Sequence, residues 1–186
     1  MPLLELITTS YMATGSLTLV GVGPGDPSLL TLSAVKAIEN ATLVAYPISS
    51  HGDDGIAATI AALWITDDKK RLPLLFPMVQ AAEPRKRAWR EASESLVSSV
   101  KCGEKVAFLC QGDVSLFASA SYVLLYIKSN HPECQITLIP GVTAVSAAAA
   151  AAAWPLSLQK DQLLVLPTPD DPKSLEAIID HAARCN

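Results

Sequence analysis

At 186 residues, half of them hydrophobic and 17% charged, the chain is long enough for a sizeable core and too apolar to be disordered. A formal net charge of −4 gives no general reason to expect nucleic acid as a partner. Cys102, Cys110, Cys134 and Cys185 lack C-x-x-C spacing and stand without a histidine cluster, so they read as reduced, mostly buried thiols of a cytoplasmic protein, with no metal.

Residues 1–14, MPLLELITTSYMAT, have neither a basic start nor a continuous apolar run, and read as a disordered leader rather than a signal peptide. An apolar strand around Leu17, Leu19, Val20 and Val22 then breaks into alternating glycines, Gly21, Gly23 and Gly25, followed by Asp26 and Pro27. This is close to the G-x-G-x-x-G turn that cradles a pyrophosphate, but Asp26 puts a negative charge at the third glycine position. Pro24 also removes an N–H from the turn, and phosphates need such donors. A loop of this kind suits a ligand with positive charge or with hydroxyl and amine donors, as in S-adenosylmethionine; a tight turn with glycines at positive φ explains it equally well.

A first helix is expected from Thr31, with Leu32, Ala34, Val35 and Ile38 on one face and Asn40 as its stop. A second strand, Thr42 to Tyr46, should end at Pro47 and lie parallel to the first. After a helical piece from Ile56 to Trp64, Pro73 and Pro77 confine LPLLFPMV to an edge strand or an extended loop. A charged helix follows from about Pro84 to Val100. The opening grammar then recurs twice. Val106 to Cys110 leads into Gln111-Gly112-Asp113 and a helical run from Leu116 to Ile127; Ile136 to Ile139 leads into Pro140-Gly141-Val142-Thr143 and an alanine helix ending at Trp154.

No charge falls between Gln135 and Gln159, yet Pro140, Gly141, Pro155 and the weakly hydrophobic alanines argue against a membrane span, and no membrane partner is expected. The alanine run itself reads as good helix former that packs closely. Leu163 to Leu166 reads as a fresh strand, and Asp171 with Pro172 as the cap and first position of a last helix reaching about Ala183. The fold class is therefore α/β. A doubly wound, mostly parallel sheet is expected over 15–155, with the start of an incomplete second α/β domain over 160–186. In such sheets the strand-end loops gather on one edge, where ligands bind.

Together, the three loop segments resemble the tetrapyrrole methylase family: GVGPGDPSLLTLSAVKAI its first signature, QGDVSLFASASYVL its second and PGVTAVSAAAAAAAWPL its third. The likeness runs over about residues 15 to 168, and LLFPM, GDVSLFAS and LLVLP are similar to the branch that methylates C20 of precorrin-2 or cobalt-sirohydrochlorin on the way to cobalamin. The resemblance implies two α/β domains, S-adenosylmethionine as methyl donor with S-adenosylhomocysteine as product, and a homodimer. It implies that Pro24, Gln111, Gly112, Asp113, Leu116, Thr143, Ala144, Pro167 and Thr168 line the cofactor, and that Gly23, Gly25 and Asp26 face the tetrapyrrole. Tyr46 and Met78 are further substrate candidates, each also readable as core.

The chain departs from the pattern at Pro47, where relatives that methylate pyrrole carbons carry Asp as a proposed acid–base residue. No catalytic residue can be named, and His51 reads as a solvated loop histidine. Carboxylates on such a substrate call for cations, for which Arg71, Arg85, Lys86, Arg87 and Arg90 are candidates. Two competing readings stand beside the methyltransferase: an inactive binding module of the same ancestry, and an unrelated nucleotide-binding α/β enzyme.

Overall fold

A computed structural model describes residues 15–169 and 171–184, so the expected leader and Cys185 lie outside the described residues. The chain forms two compact units that part after Thr143. The first holds five strands: β1 (Ser16–Gly21), β2 (Leu43–Ile48), β3 (Lys70–Leu75), β4 (Lys105–Cys110) and β5 (Ile136–Ile139). Their order in the sheet is β3-β2-β4-β1-β5, and every ladder is parallel.

Alternation along each strand divides the core between the two faces of the sheet. Leu17 and Leu19 of β1, Leu43 and Ala45 of β2, and Val106 and Phe108 of β4 pack on one side with Leu96 and Val97 of α3 (Ala82–Lys101) and Val123 and Ile127 of α4 (Ser119–Asn130). Val20, Val44, Tyr46 and Leu109 pack on the other with Ala34 and Ile38 of α1 (Leu32–Asn40) and Ala57 and Ile60 of α2 (Ile56–Ile60). Helices on both faces of a parallel sheet are the doubly wound arrangement expected from the repeated strand–loop–helix grammar.

Local signals set most boundaries. The Thr31 hydroxyl accepts from the Ala34 amide at 3.1 Å and starts α1. Within that helix, however, Leu32 is exposed, because the buried stripe is the narrower pair Ala34 and Ile38. Pro47 does not end β2, which runs on to Ile48. The ladder to β4 stops at Ala45, so Pro47 faces only the edge strand β3, where a missing N–H is tolerated. Strand β3 is the edge that its proline predicts. Helix α4 begins at Ser119, three residues later than expected, because Asp113 folds back on Ser115 and Phe117 takes φ +51°.

The second unit contains α5 (Ala144–Ala151) and α6 (Pro172–Arg184). The alanine helix stops short of Trp154, with Ala153 at φ +49°. Asp171 caps α6 through the Ser174 amide at 3.0 Å. The expected strand at 163–166 does not form: that stretch is irregular, with Leu163, Leu164 and Leu166 exposed. Apolar, β-prone residues become a strand only against a neighbouring ladder, and none of the described strands pairs with them.

Candidate functional site

The carboxyl ends of β1, β4 and β5 bring the three glycine-bearing loops together. Gly23 and Gly112 exchange reciprocal backbone hydrogen bonds of 3.1 and 2.7 Å, an antiparallel clip in an otherwise parallel unit. Both glycines have positive φ, at 79° and 72°. Gly21, Gly112 and Gly141 pack backbone on backbone. A Cβ on Gly21 would lie 2.6 Å from the Gly141 nitrogen, and one on Gly141 would lie 2.1 Å from the Gly112 oxygen. Gly25 and Gly112 instead face open space, so a ligand can approach the main chain there. The Gln111 side-chain amide adds a bond to the Pro24 carbonyl at 3.2 Å.

Asp113 locks this arrangement. Only 8% exposed, its carboxylate accepts from the Gly141 amide at 2.9 Å through Oδ2 and from the Ser115 amide at 2.8 Å through Oδ1. The Ser115 hydroxyl donates to Oδ1 as well. Burial alone would raise the pKa, but these donors outweigh it and hold the carboxyl below its ordinary value. The neighbouring Cys110 thiol has no such partners: burial, with the Asp113 charge beside it, pushes its pKa up to about 12. It is a protonated, unreactive wall residue. Among the described residues Cys110 is buried, Cys134 half-buried and Cys102 exposed. No group of three or more His, Cys, Asp and Glu side chains gathers there to hold a metal.

Beside the loops, at the carboxyl ends of β2, β3 and β4, lies a cavity of about 480 Å³. Pro47, Phe76, Met78, Cys110, Gln111 and Phe117 are among its walls. Asp53 also lines it, tied down by the Gly55 amide at 2.9 Å and the Ser49 hydroxyl at 2.7 Å. Those donors keep the Asp53 carboxyl below its ordinary pKa, so it is ionised and a weak base. Phe117 is 66% exposed in left-handed backbone that bulky residues avoid, which marks a constrained position at the cavity mouth.

The expected site residues separate into groups. Gly23 is joined to Gly112 and Pro24 to Gln111 by the bonds above, Asp113 is tied to Gly141 and Ser115, and Gly25 and Asp26 are exposed at the tip of the first loop. The Asp26 carboxylate accepts from the Ser28 amide at 2.8 Å and caps a short 3₁₀ turn, which lowers its pKa and gives it a structural task. Leu116 is exposed, and Thr143 half-buried at the end of the third loop. Met78, 88% exposed, lines the cavity. Tyr46 does not: it is 8% exposed in the core beneath α2, its ring so close to Gly55 that a Cβ there would meet it at 2.7 Å. Ala144, Pro167 and Thr168 belong to the second unit, where Ala144 opens α5 and the other two are exposed in irregular chain. His51 is exposed in the loop after β2.

Residues 16–185 match the family model described as Tetrapyrrole (Corrin/Porphyrin) Methylases. The chain belongs to that family. A relative from Methanocaldococcus jannaschii, named "Probable cobalt-precorrin-2 C(20)-methyltransferase", is 35% identical over 87% of this chain and 66% of its own length. The cobalt-precorrin-2 C(20)-methyltransferase of Salmonella typhimurium is 28% identical over 82% of this chain and 63% of its own length. The chain thus spans a little under two thirds of the length of these two relatives. Among solved structures, a cobalt precorrin-4 methyltransferase described as a cobalamin biosynthetic enzyme superposes with a TM-score of 0.61. It has 23% sequence identity, the match covers 83% of this chain and 61% of that one, and it establishes the shared α/β fold.

Proposed function

We propose that the chain carries the cofactor loops and part of the substrate cleft of an S-adenosylmethionine-dependent C-methyltransferase of cobalamin biosynthesis. Its substrate on this reading is precorrin-2 or cobalt-sirohydrochlorin, methylated at C20. The carrying observation is the meeting of the three family loops, with Gly21, Gly112 and Gly141 in backbone contact and Asp113 bonded to Gly141. The position methylated is that named for the two C(20)-methyltransferase relatives.

The site's chemistry suits the cofactor. The open faces of Gly25 and Gly112 admit a ligand to the main chain, and Gln111 and Asp113 supply polar groups beside them. Bound S-adenosylmethionine would supply an electrophilic methyl group, and the macrocycle's electron-rich carbon makes a protein nucleophile unnecessary. The residues of this chain would hold and align. Pro24, Gln111, Gly112, Asp113, Leu116 and Thr143 bind the cofactor on this reading, while Gly23, Gly25, Asp26 and Met78 meet the substrate. Alignment of two reactants with exclusion of water is worth about 7–11 kcal/mol of a barrier.

The same reading takes 160–186 as the opening of a second α/β domain and expects a homodimer in the cytoplasm. No helix among the described residues is long and apolar enough to cross a membrane. Calorimetric titration of the whole protein with S-adenosylhomocysteine tests the proposal, followed by an anaerobic assay with precorrin-2 and cobalt-sirohydrochlorin. Saturable binding with one site per chain and methyl transfer to either macrocycle is expected. A folded protein that binds NAD or ATP in preference to S-adenosylhomocysteine overturns it.

A further inference from the structure

The cations that sequence offers as carboxylate partners are not equivalent in the fold. Arg71 donates its guanidinium to the Ile65 carbonyl at 3.2 Å. Lys86 pairs with Glu83 at 3.2 Å and Arg87 with Glu91 at 4.0 Å. Arg85 has no acidic partner among the described residues, and it alone of the five lines a recess of about 200 Å³ whose walls include Met78, Trp89, Phe117 and Tyr122. Arg90, likewise without an ion pair among the described residues, lines the groove between α3 and α4 instead.

That recess adjoins the cavity at the strand ends, and Phe76, Met78, Phe117 and Ser119 line both. Arg85 also stands near the beginning of α3, whose first six residues read AEPRKR. Cations near a helix N-terminus are opposed by the macrodipole; Glu83 in the first turn pairs with Lys86 rather than Arg85, so Arg85 costs helix stability unless a further anion compensates it. An unpaired guanidinium beside exposed apolar and aromatic surface fits a ligand that is a flat apolar body with carboxylates at its edge.

We infer that Arg85 anchors a peripheral carboxylate of the macrocycle, with Met78 and Phe117 against the ring system. The assignment rests on the tetrapyrrole reading above and names a residue that selects carboxylate-bearing substrates. It is a binding residue, not one that takes part in bond formation.

The test is titration of the whole protein with uroporphyrin III, a stable macrocycle with a carboxylate on every side chain, followed by the shift of its Soret band. Wild type is compared with Arg85→Gln, Arg85→Lys and Lys36→Gln, the last an exposed cation of α1 on the opposite face of the sheet. Arg85→Gln should raise Kd roughly tenfold, the loss of one charge-assisted contact. Arg85→Lys should retain part of the affinity, because an ammonium cannot form the two-pronged contact. Lys36→Gln should stay within about twofold of wild type, and thermal melts of all variants should match. Arg85→Gln binding as wild type does overturns the anchor and leaves the tetrapyrrole reading standing; so does an equal loss in Lys36→Gln, which would signal unspecific attraction. Absence of binding to wild type removes the tetrapyrrole reading, and the anchor with it.

Discussion

The Gly141 amide donates to the buried Asp113 carboxylate at 2.9 Å, and that bond joins loops that leave β4 and β5 on opposite sides of β1. The same carboxylate shapes its own loop through Ser115. Asp113→Ala removes both sets of contacts and leaves the Gly141 amide to find another partner. The expected cost is about 2–4 kcal/mol of stability, measured by urea denaturation. S-adenosylhomocysteine affinity should fall as well; unchanged affinity in calorimetry would remove Asp113 from the cofactor site.

The depressed pKa of Asp113 has a sign that can be checked. Its folded value lies below the ordinary value of an aspartate, so its contribution to stability is complete above the unfolded value and is lost as pH falls through the folded one. Asp113→Asn should therefore show a shallower decline of the urea midpoint than wild type as pH is lowered from about 5 to 2. Parallel curves would mean that the carboxylate is no better stabilised in the folded state than in the unfolded chain.

Glycine substitutions should separate architecture from ligand access. Gly141→Ala places a methyl group 2.1 Å from the Gly112 carbonyl oxygen, and the loops must move apart. A loss of at least about 2 kcal/mol is expected from overpacking against backbone that cannot give. Gly25→Ala meets no atom within 4 Å, so its melting temperature should match wild type while binding of cofactor or macrocycle weakens. Equal affinity would place the ligand away from the first loop.

At the cavity mouth, Phe117→Gly relieves a left-handed backbone conformation but removes an exposed ring. Stability should change by less than about 1 kcal/mol, because strain relief and the greater freedom of the unfolded chain oppose each other. Uroporphyrin III binding should fall. Affinity preserved in Phe117→Gly would mean that the ring does not contact the macrocycle.

Periodicity and glycine punctuation were enough to read β1, β4, β5, the all-but-complete span of α3 and the caps at Thr31 and Asp171, because each depends on residues next to one another in sequence. Pro47 shows where such reading fails. A proline looks like a stop until the neighbouring ladder is known to end two residues earlier, at Ala45. Leu163 to Leu166 failed the other way, since a strand requires a partner that composition does not supply. In the site, the loops were legible but their internal wiring was not. That the Asp113 oxygens accept from Gly141 and Ser115 could not be read from the sequence. Tyr46 read as a substrate candidate, yet it fills the core against Gly55. Asp53 and Phe117 went unread, although the Asp two residues before Gly55 in HGDDG was a turn signal for the former. The strained backbone of Phe117 leaves no sequence trace.

The placement of β1 has a consequence for how the protein comes to be folded. Its two ladders are with residues 105–110 and 136–139, so the first of the described strands to be synthesised is among the last to find its neighbours. Loop-closure entropy must be met across that span before the pairing returns anything, which slows folding and leaves an apolar strand unprotected meanwhile. The glycine loops at its end take shape only when 141 has emerged. A nascent chain shorter than that would have no ligand site, and a ligand that fastens the loops together would act late, on the rate of unfolding more than on the rate of folding.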